Sequence, residues 1–137
     1  MYVKNGDPFG VGRDVDRADL MIRLKHSRNG FHYGTGISGN LVAHKTPELG
    51  KHPGTVDEFC AALPCWRVRY ERTPLEKMKV EQVAVSDFGS AWSPLANCEH
   101  DATLAQFGVA YSPTVEKVLG LGIIALLAGI AIASRDN

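Results

Sequence analysis

Cys98 is the residue of this 137-residue chain whose type and position best suit covalent chemistry. It follows Asn97, a good helix N-cap, which predicts a helix running from Cys98 to about Phe107 and closed by Gly108. The unpaired amides and the dipole at a helix N-terminus favour an anion, so this position predicts a stabilised thiolate. A small apolar residue at a buried helix end is the alternative interpretation, because free cysteines are often merely buried.

Two upstream histidines could supply the base that such a thiol needs. His32 opens one predicted strand, 32–37, and His44 nearly closes the next, 41–45. A Ser38-Gly39-Asn40 turn joins the two strands, so both histidines lie at the same end of a hairpin. Their rings can therefore be neighbours, one near the thiol and the other orienting the first. Nucleophile, base and orienting group form the arrangement that covalent thiol catalysis requires.

The composition limits the other functions open to the chain. A length of 137 residues predicts one domain, and 15 basic residues balance 15 acidic ones. This balance gives no electrostatic footprint for nucleic acid, so we expect no nucleic-acid partner.

The cysteine count bears on the compartment and on metal binding. Three cysteines are an odd number, and the polar N-terminus does not resemble a signal peptide, so we expect free thiols in a reducing compartment. Cys60 and Cys65 flank Ala-Ala-Leu-Pro, a spacing unlike the short pairs of zinc sites. We therefore predict buried structural cysteines, and neither a metal nor another cofactor.

The elements that must position these groups read as a small α+β domain. Residues 1–17 are rich in glycine and predict an irregular lead-in, and residues 18–25 alternate as a half-buried strand. Together with the histidine hairpin this strand makes an antiparallel meander, which a polar loop follows at 46–54. A further strand is predicted at 66–70.

Two capping boxes mark the starts of two further helices. Thr55 and Glu58 open a short helix that stops at Pro64. Thr73 and Glu76 open a second one that should end near Gly89, with a proline at its first position. A loop at 90–96 then leads to the Cys98 helix.

These residues resemble a known family. His32-Tyr33-Gly34, with His44 twelve residues later, is similar to the H-box of the lecithin:retinol acyltransferase (LRAT)-like family, and Asn97-Cys98-Glu99-His100 is similar to its NC-box. The group includes the HRAS-like suppressor phospholipase/acyltransferases and some picornavirus proteins. The resemblance covers about residues 18–110 and implies a circularly permuted papain-like (NlpC-type) fold. Tyr33 stands where lipid-active members usually have Trp, and Asp101 where the box usually continues with Phe.

The resemblance also implies a role for each matched residue. Cys98 would be the nucleophile, His32 the general base and His44 the third, polarising member of a triad. The remaining residues of the two boxes would support the substrate or the site: Tyr33, Asn97, Glu99 and His100.

The C-terminal stretch 118–133 is uncharged and apolar on all sides. A spanning helix needs about 20 apolar residues, so this run is marginal in length. We expect a membrane-anchoring helix within 113–137, with residues 18–112 as the catalytic domain. A helix buried in an assembly of subunits is the alternative, and a core helix of this domain is the third.

The sequence therefore predicts a membrane-associated cysteine acyltransferase or hydrolase that forms an acyl-thioester on Cys98, acting on a phospholipid or other acyl ester. An NlpC-type amidase or peptidase is one alternative. A catalytically silent viral or phage binding module, anchored by its tail, is the other. We expect membrane contact through 118–133, a possible homo-oligomer through the same helix, and a catalytic domain in a reducing, cytosolic compartment.

Overall fold

The computed structural model describes residues 7–8, 14–110 and 112. Six antiparallel strands form one sheet in the order β1-β6-β2-β3-β4-β5. The strands are β1 (Asp7–Pro8), β2 (Leu20–Leu24), β3 (Phe31–Ile37), β4 (Leu41–Thr46), β5 (Gly50–Thr55) and β6 (Cys65–Val68). The helices are α1 (Val56–Cys60), α2 (Pro74–Val85) and α3 (Cys98–Phe107). The predicted α+β class, an antiparallel sheet packed with helices, is confirmed.

The predicted C-terminal helix within 113–137 lies outside the described residues, and so does its membrane segment 118–133. None of the helices that the structure describes is both long and apolar enough to span a bilayer. The two-residue strand β1 lies in the lead-in that the sequence predicts as irregular.

The meander of β2, β3 and β4 is confirmed. Strands β3 and β4 pair with Gly34 opposite His44 and Ile37 opposite Leu41. Their turn contains Gly39 at φ +83° and Asn40 at φ +58°, left-handed conformations that glycine and asparagine adopt most readily.

Strand β5 corrects the prediction of a polar loop at 46–54. Its six residues pair with β4 from Leu41 opposite Thr55 to Thr46 opposite Gly50. The outer edge of β5 bonds to a loop, because Lys51 N donates to Ser90 O at 2.9 Å and Gly89 N donates to Lys51 O at 2.8 Å. The residues of β5 have little strand propensity of their own. They form a strand because β4 pairs with one edge and a loop bonds to the other.

The helix starts follow the capping residues. Both capping boxes are formed, Thr55 with Glu58 at α1 and Thr73 with Glu76 at α2. Helix α1 ends at Cys60 and α2 at Val85, each somewhat before the predicted stop. Helix α3 has the predicted bounds, with its C-cap Gly108 at φ +74°.

Helices cover both faces of the sheet. Helix α1 lies over the side of Met21 and Val42, where Phe59 is completely buried. Helices α2 and α3 lie over the other side, packing Val80, Ala84, Ala102 and Ala105 against the strands.

The prediction of a half-buried strand at 18–25 is therefore wrong in one respect. The alternation predicts that Leu20 and Ile22 are on the buried side of the strand and Met21 on the solvent side. Met21 is nevertheless fully buried, because α1 covers it. Asp19 is also buried, and Arg69 holds its carboxylate through two hydrogen bonds of 2.7 Å.

Two of the three cysteines are paired. Cys60 and Cys65 form a disulfide that ties the end of α1 to β6, whereas Cys98 is free and buried. The prediction that Cys60 and Cys65 are buried is confirmed, but the prediction that they are free thiols is wrong. The intervening residues turn back tightly, with Ala61 and Ala62 at positive φ, and bring the two sulfurs together.

Candidate active site

Cys98 is the first residue of α3, as the sequence predicts. The side chain of Asn97 caps the helix by accepting hydrogen bonds from Glu99 N at 2.9 Å and His100 N at 3.2 Å. Burial nevertheless raises the pKa of the Cys98 thiol, although a hydrogen bond from the Tyr33 backbone N–H and the charge of Lys25 lower it in part. The expected stabilised thiolate is therefore not the resting state, because desolvation outweighs the favourable helix terminus.

His32 and His44 are neighbours, as the hairpin spacing predicts. Nε2 of His32 lies 3.0 Å from Nδ1 of His44, and both residues are only 6% exposed. Both rings also contact Phe59, at 5.3 Å between ring centroids, with the His32 ring stacked on it. An apolar partner and a mutual hydrogen bond hold the two imidazoles in place.

Both imidazoles are neutral at physiological pH. Burial, helped by the neighbouring His44, lowers the pKa of His32 to about 2. Burial, helped by His52, lowers the pKa of His44 to about 4. Because neither ring is positively charged, each carries a single N–H proton. One ring donates its proton to the hydrogen bond between them, and which ring donates determines the tautomer of both.

The far nitrogen of His44 has no hydrogen-bond partner among the residues that the structure describes. Its Nε2 is buried without a hydrogen bond, although the rings of His44 and His52 lie 4.3 Å apart between centroids. A Cβ at Gly54 would come within 2.9 Å of this nitrogen, so the glycine gives the ring its space. When Nε2 of His44 carries the proton, Nδ1 of His44 accepts from His32, and Nδ1 of His32 is left as a free base.

The histidine pair and the thiol lie on opposite faces of the sheet. Successive side chains of β3 point to opposite sides, so His32 lies on the α1 side with Phe59 while Tyr33 packs with Cys98 on the other. Among the described residues no hydrogen bond joins the thiol to either imidazole. The structure thus brings His32 and His44 together, and within the described residues it joins neither imidazole to Cys98 by a hydrogen bond.

A cavity nevertheless connects the two groups. It has a volume of about 410 Å³, and both His32 and Cys98 line it. It lies where β3 and β4 part, since their pairing begins only at Gly34 opposite His44. The other residues that bear on its chemistry are Lys25, Phe31, Lys45 and Trp92.

The α3 side also carries a buried charge cluster that sequence reasoning missed. Lys45 is 3% exposed and lies 3.5 Å from Oδ2 of Asp101, and Lys51 is 5% exposed and paired with Asp87. Burial raises the pKa of Asp101, while the two lysines act against that rise. The alternation of β4 places Lys45 on the side of buried Ala43, and this was the available signal.

The remaining box residues surround the thiol. Tyr33 is buried, and burial, helped by Glu99 and Cys98, raises the pKa of its hydroxyl to about 12. Glu99 is buried and accepts a hydrogen bond from Ser112. Nδ1 of His100 lies 3.2 Å from Oδ1 of Asn97, so the ring helps to fix the cap.

The sequence was compared with protein-family models, and none matches. A comparison with curated proteins finds no significantly similar sequence.

Proposed function

We propose that the chain is a cysteine-dependent acyltransferase or hydrolase with Cys98 as nucleophile, His32 as general base and His44 as the orienting group. The two boxes shared with the LRAT-like family support it, and the α+β architecture is compatible with an NlpC-type, permuted papain-like fold. The observation that carries it is the cavity of about 410 Å³ lined by both Cys98 and His32, whose ring His44 holds at 3.0 Å.

The raised pKa of the Cys98 thiol and the lowered pKa of His32 support one type of mechanism. A preformed thiolate–imidazolium pair is disfavoured, because burial penalises both charges. The proton therefore moves from Sγ of Cys98 to Nδ1 of His32 as the sulfur attacks the acyl carbonyl carbon. In the transition state the negative charge is shared between the sulfur and the developing oxyanion of the substrate. An isolated thiolate therefore never forms in the buried site.

The leaving group completes the first half of the reaction. The bond from the acyl carbon to the alcohol or amine breaks, and the leaving atom takes the proton from His32. An acyl-thioester remains on Cys98. Water, or an acceptor hydroxyl or amine, then attacks the thioester while His32 takes its proton. The bond from the acyl carbon to Sγ breaks and the Cys98 sulfur leaves with that proton, which gives hydrolysis or acyl transfer and restores the thiol.

The mechanism requires one movement. The His32 ring must reach the thiol through the gap where β3 and β4 part, because the two groups lie on opposite faces. The pairing of β3 with β4 does not extend to His32, so that side of the strand is open. On its other side His32 is paired with Arg23 of β2, and the movement must distort this pair. His44 would keep its hydrogen bond and hold the tautomer that leaves Nδ1 of His32 free.

The substrate class follows from the resemblance and the apolar tail. We propose a phospholipid ester as acyl donor, with residues 118–133 holding the domain at a membrane and, in a homo-oligomer, against a second copy. We propose a reducing, cytosolic compartment for the catalytic domain. The disulfide between Cys60 and Cys65 argues against this compartment, because disulfides persist mainly in oxidising ones.

A silent binding module is the second candidate. The separation of the thiol from both imidazoles and the raised pKa of Cys98 favour it. An NlpC-type amidase or peptidase would use the same residues, and it differs from the esterase in the bond that is cleaved.

Intact mass spectrometry tests the proposal. The full-length protein is incubated with phospholipid vesicles and, separately, with a water-soluble thioester or activated ester. We expect an added acyl mass that maps to Cys98 and is absent in Cys98→Ala. Acylation of the parent at no site, with either donor, would favour the binding module; cleavage of a peptide amide without ester turnover would favour the amidase.

A further inference from the structure

Three loops contribute residues to the lining of the cavity, and they also carry apolar and basic side chains. They are the β2–β3 turn, the β4–β5 turn and the loop before α3. We call the six relevant side chains the entrance surface: Lys25, Arg28, Phe31, Leu49, Trp92 and Leu95.

The apolar part of this surface is strongly exposed. Leu49 and Leu95 are each 69% exposed, the highest values among the large hydrophobic side chains that the structure describes. Phe31 is 39% exposed and lines the cavity together with Trp92, which is half-buried. Leu49 is two residues from cavity-lining Pro47, and Leu95 is three residues from Trp92. Exposed apolar side chains therefore lie on the same loops that line the cavity.

The charged part of the surface is basic. Lys25 and Arg28 lie in one exposed turn with His26, and Glu48 is the acidic residue of the neighbouring turn. Within the described part of the chain, neither Lys25 nor Arg28 takes part in a salt bridge. Arg28 adopts φ +57° in a turn closed by a 2.8 Å hydrogen bond from its N–H to Lys25 O, which holds both side chains in the same turn.

We infer that the entrance surface docks on an anionic lipid membrane. Leucine and tryptophan side chains favour the boundary between acyl chains and headgroups, and lysine and arginine favour anionic headgroups. Charge complementarity and the open cavity behind the surface point to this partner. A protein partner would not require exposed apolar side chains on the loops that line the cavity of the thiol.

This inference rests on the proposed function, because docking would place an acyl chain at the cavity that Cys98 lines. It differs from anchoring by residues 118–133, which would hold the chain at a membrane without orienting the cavity. The docking surface gives a bound molecule one orientation, with the N-terminus of α3 toward the lipid.

Trp92 reports directly on this contact. In full-length Trp66→Phe protein Trp92 is the sole tryptophan, and Cys98→Ala removes any thiol chemistry. The protein is mixed with vesicles of phosphatidylcholine and phosphatidylglycerol whose acyl chains carry bromine, a tryptophan quencher. We expect a blue-shifted and quenched Trp92 emission, with weaker quenching on pure phosphatidylcholine vesicles. If Trp66→Phe fails to fold, the quenching lost between the parent and Trp92→Phe gives the same reading.

Three double variants sharpen the test. Leu49→Ser with Leu95→Ser should abolish the quenching, and Lys25→Glu with Arg28→Glu should weaken binding to anionic vesicles by roughly fivefold per charge. Leu75→Ser with Val109→Ser is the matched control, since these side chains are 61% and 63% exposed but belong to none of the three loops that line the cavity. Co-sedimentation reports binding by any segment, whereas quenching reports the entrance alone.

Two outcomes would overturn the inference: unquenched Trp92 in the presence of these vesicles, whether or not the protein sediments with them, or an equal loss of quenching in the control variant. Neither outcome bears on the thiol, because Cys98 is absent from the assay. The acyl-enzyme experiment fails or succeeds separately.

Discussion

The two faces of the sheet treat ionisable side chains in opposite ways. On the α1 face, His32 and His44 are buried against Phe59 and stay neutral. On the α3 face, the buried Lys45 and Lys51 lie against the carboxylates of Asp101 and Asp87.

The difference shows how surroundings decide between neutral and charged groups. A histidine can lose its proton when it is desolvated, so an apolar neighbour is sufficient on the α1 face. A lysine loses its proton far less easily and needs a carboxylate partner when buried. The sheet therefore carries a pair of neutral imidazoles on one face and ion-paired lysines on the other.

The largest expected effect separates the two histidines of the α1 face. His32→Ala should lower kcat at least about 100-fold, because a general base in the transition state supplies that much. His44→Gln should keep more activity, since it orients the base and does not itself exchange the substrate proton. Steady-state kinetics on a soluble ester measures both, with exposed His26→Ala as the unchanged control. Equal losses in the His32 and His44 variants would mean that the pair acts as one structural unit.

Acid should destabilise the α1 face specifically. The pKa values of both rings are lowered in the folded state, so the stability they contribute is complete above the unfolded pKa of about 6.5. It is lost as the pH falls toward about 4 for His44 and about 2 for His32, at about 1.4 kcal/mol per ring per pH unit. Urea unfolding at pH 7.5, 6.5 and 5.5 gives the free energy of unfolding at each pH, and hence this slope.

The window above pH 5 isolates these rings from the carboxylates, whose unfolded pKa values are lower. Replacing both rings, His32→Gln with His44→Gln, should flatten the profile. If the parent protein is equally stable at all three pH values, His32 and His44 are not buried as a neutral pair.

Removal of the disulfide should affect stability without affecting the thiol site. Cys60→Ala with Cys65→Ala should lower the free energy of unfolding by about 2 kcal/mol, the loop-closure term for so short a loop. Activity per folded molecule should stay unchanged, because Cys60 and Cys65 pack on the face opposite Cys98. Thiol counting under denaturing conditions gives the check on the bond itself: one free thiol before reduction and three after it. Three free thiols in the purified parent would remove this link.

The smallest expected effect comes from filling the space beside His44. In Gly54→Ala the new Cβ would lie 2.9 Å from Nε2 of His44 and 3.3 Å from Oε2 of Glu58. We expect about 1 kcal/mol of lost stability and a severalfold lower kcat, because the orienting ring must shift. Gly39→Ala is the control: its φ of +83° also strains the new residue, but its nearest contact is Leu41 Cδ1 at 3.9 Å. A kcat lowered equally in the control would show that the space beside His44 is not special.

Local signals predicted the elements well. The capping boxes at Thr55 and Thr73 and the N-cap Asn97 fixed three helix starts, because each is a hydrogen-bond pattern within four residues. The neighbouring histidine rings followed from the spacing across one hairpin. These features depend on residues close together in the chain.

The face on which α3 packs could not be predicted in this way. The period of a helix shows which of its sides is buried, but not which side of a distant sheet it covers. Strand β5 escaped prediction because its lysine, histidine and proline are poor strand formers that pairing with β4 overrides. The disulfide was not predicted because a separation of five residues in sequence does not indicate the tight turn at Ala61 and Ala62.

The outer edge of β5 has a consequence for aggregation. Residues 51, 53 and 55 direct their backbone nitrogens away from β4, the pattern through which a foreign strand would add to the sheet. Lys51 N already donates to Ser90 O, Pro53 has no N–H, and Thr55 N donates to the Glu58 carboxylate of the capping box at 2.7 Å. Exposed Pro53 and the capping box that starts α1 thus also block the edge-to-edge growth by which sheet proteins form fibrils.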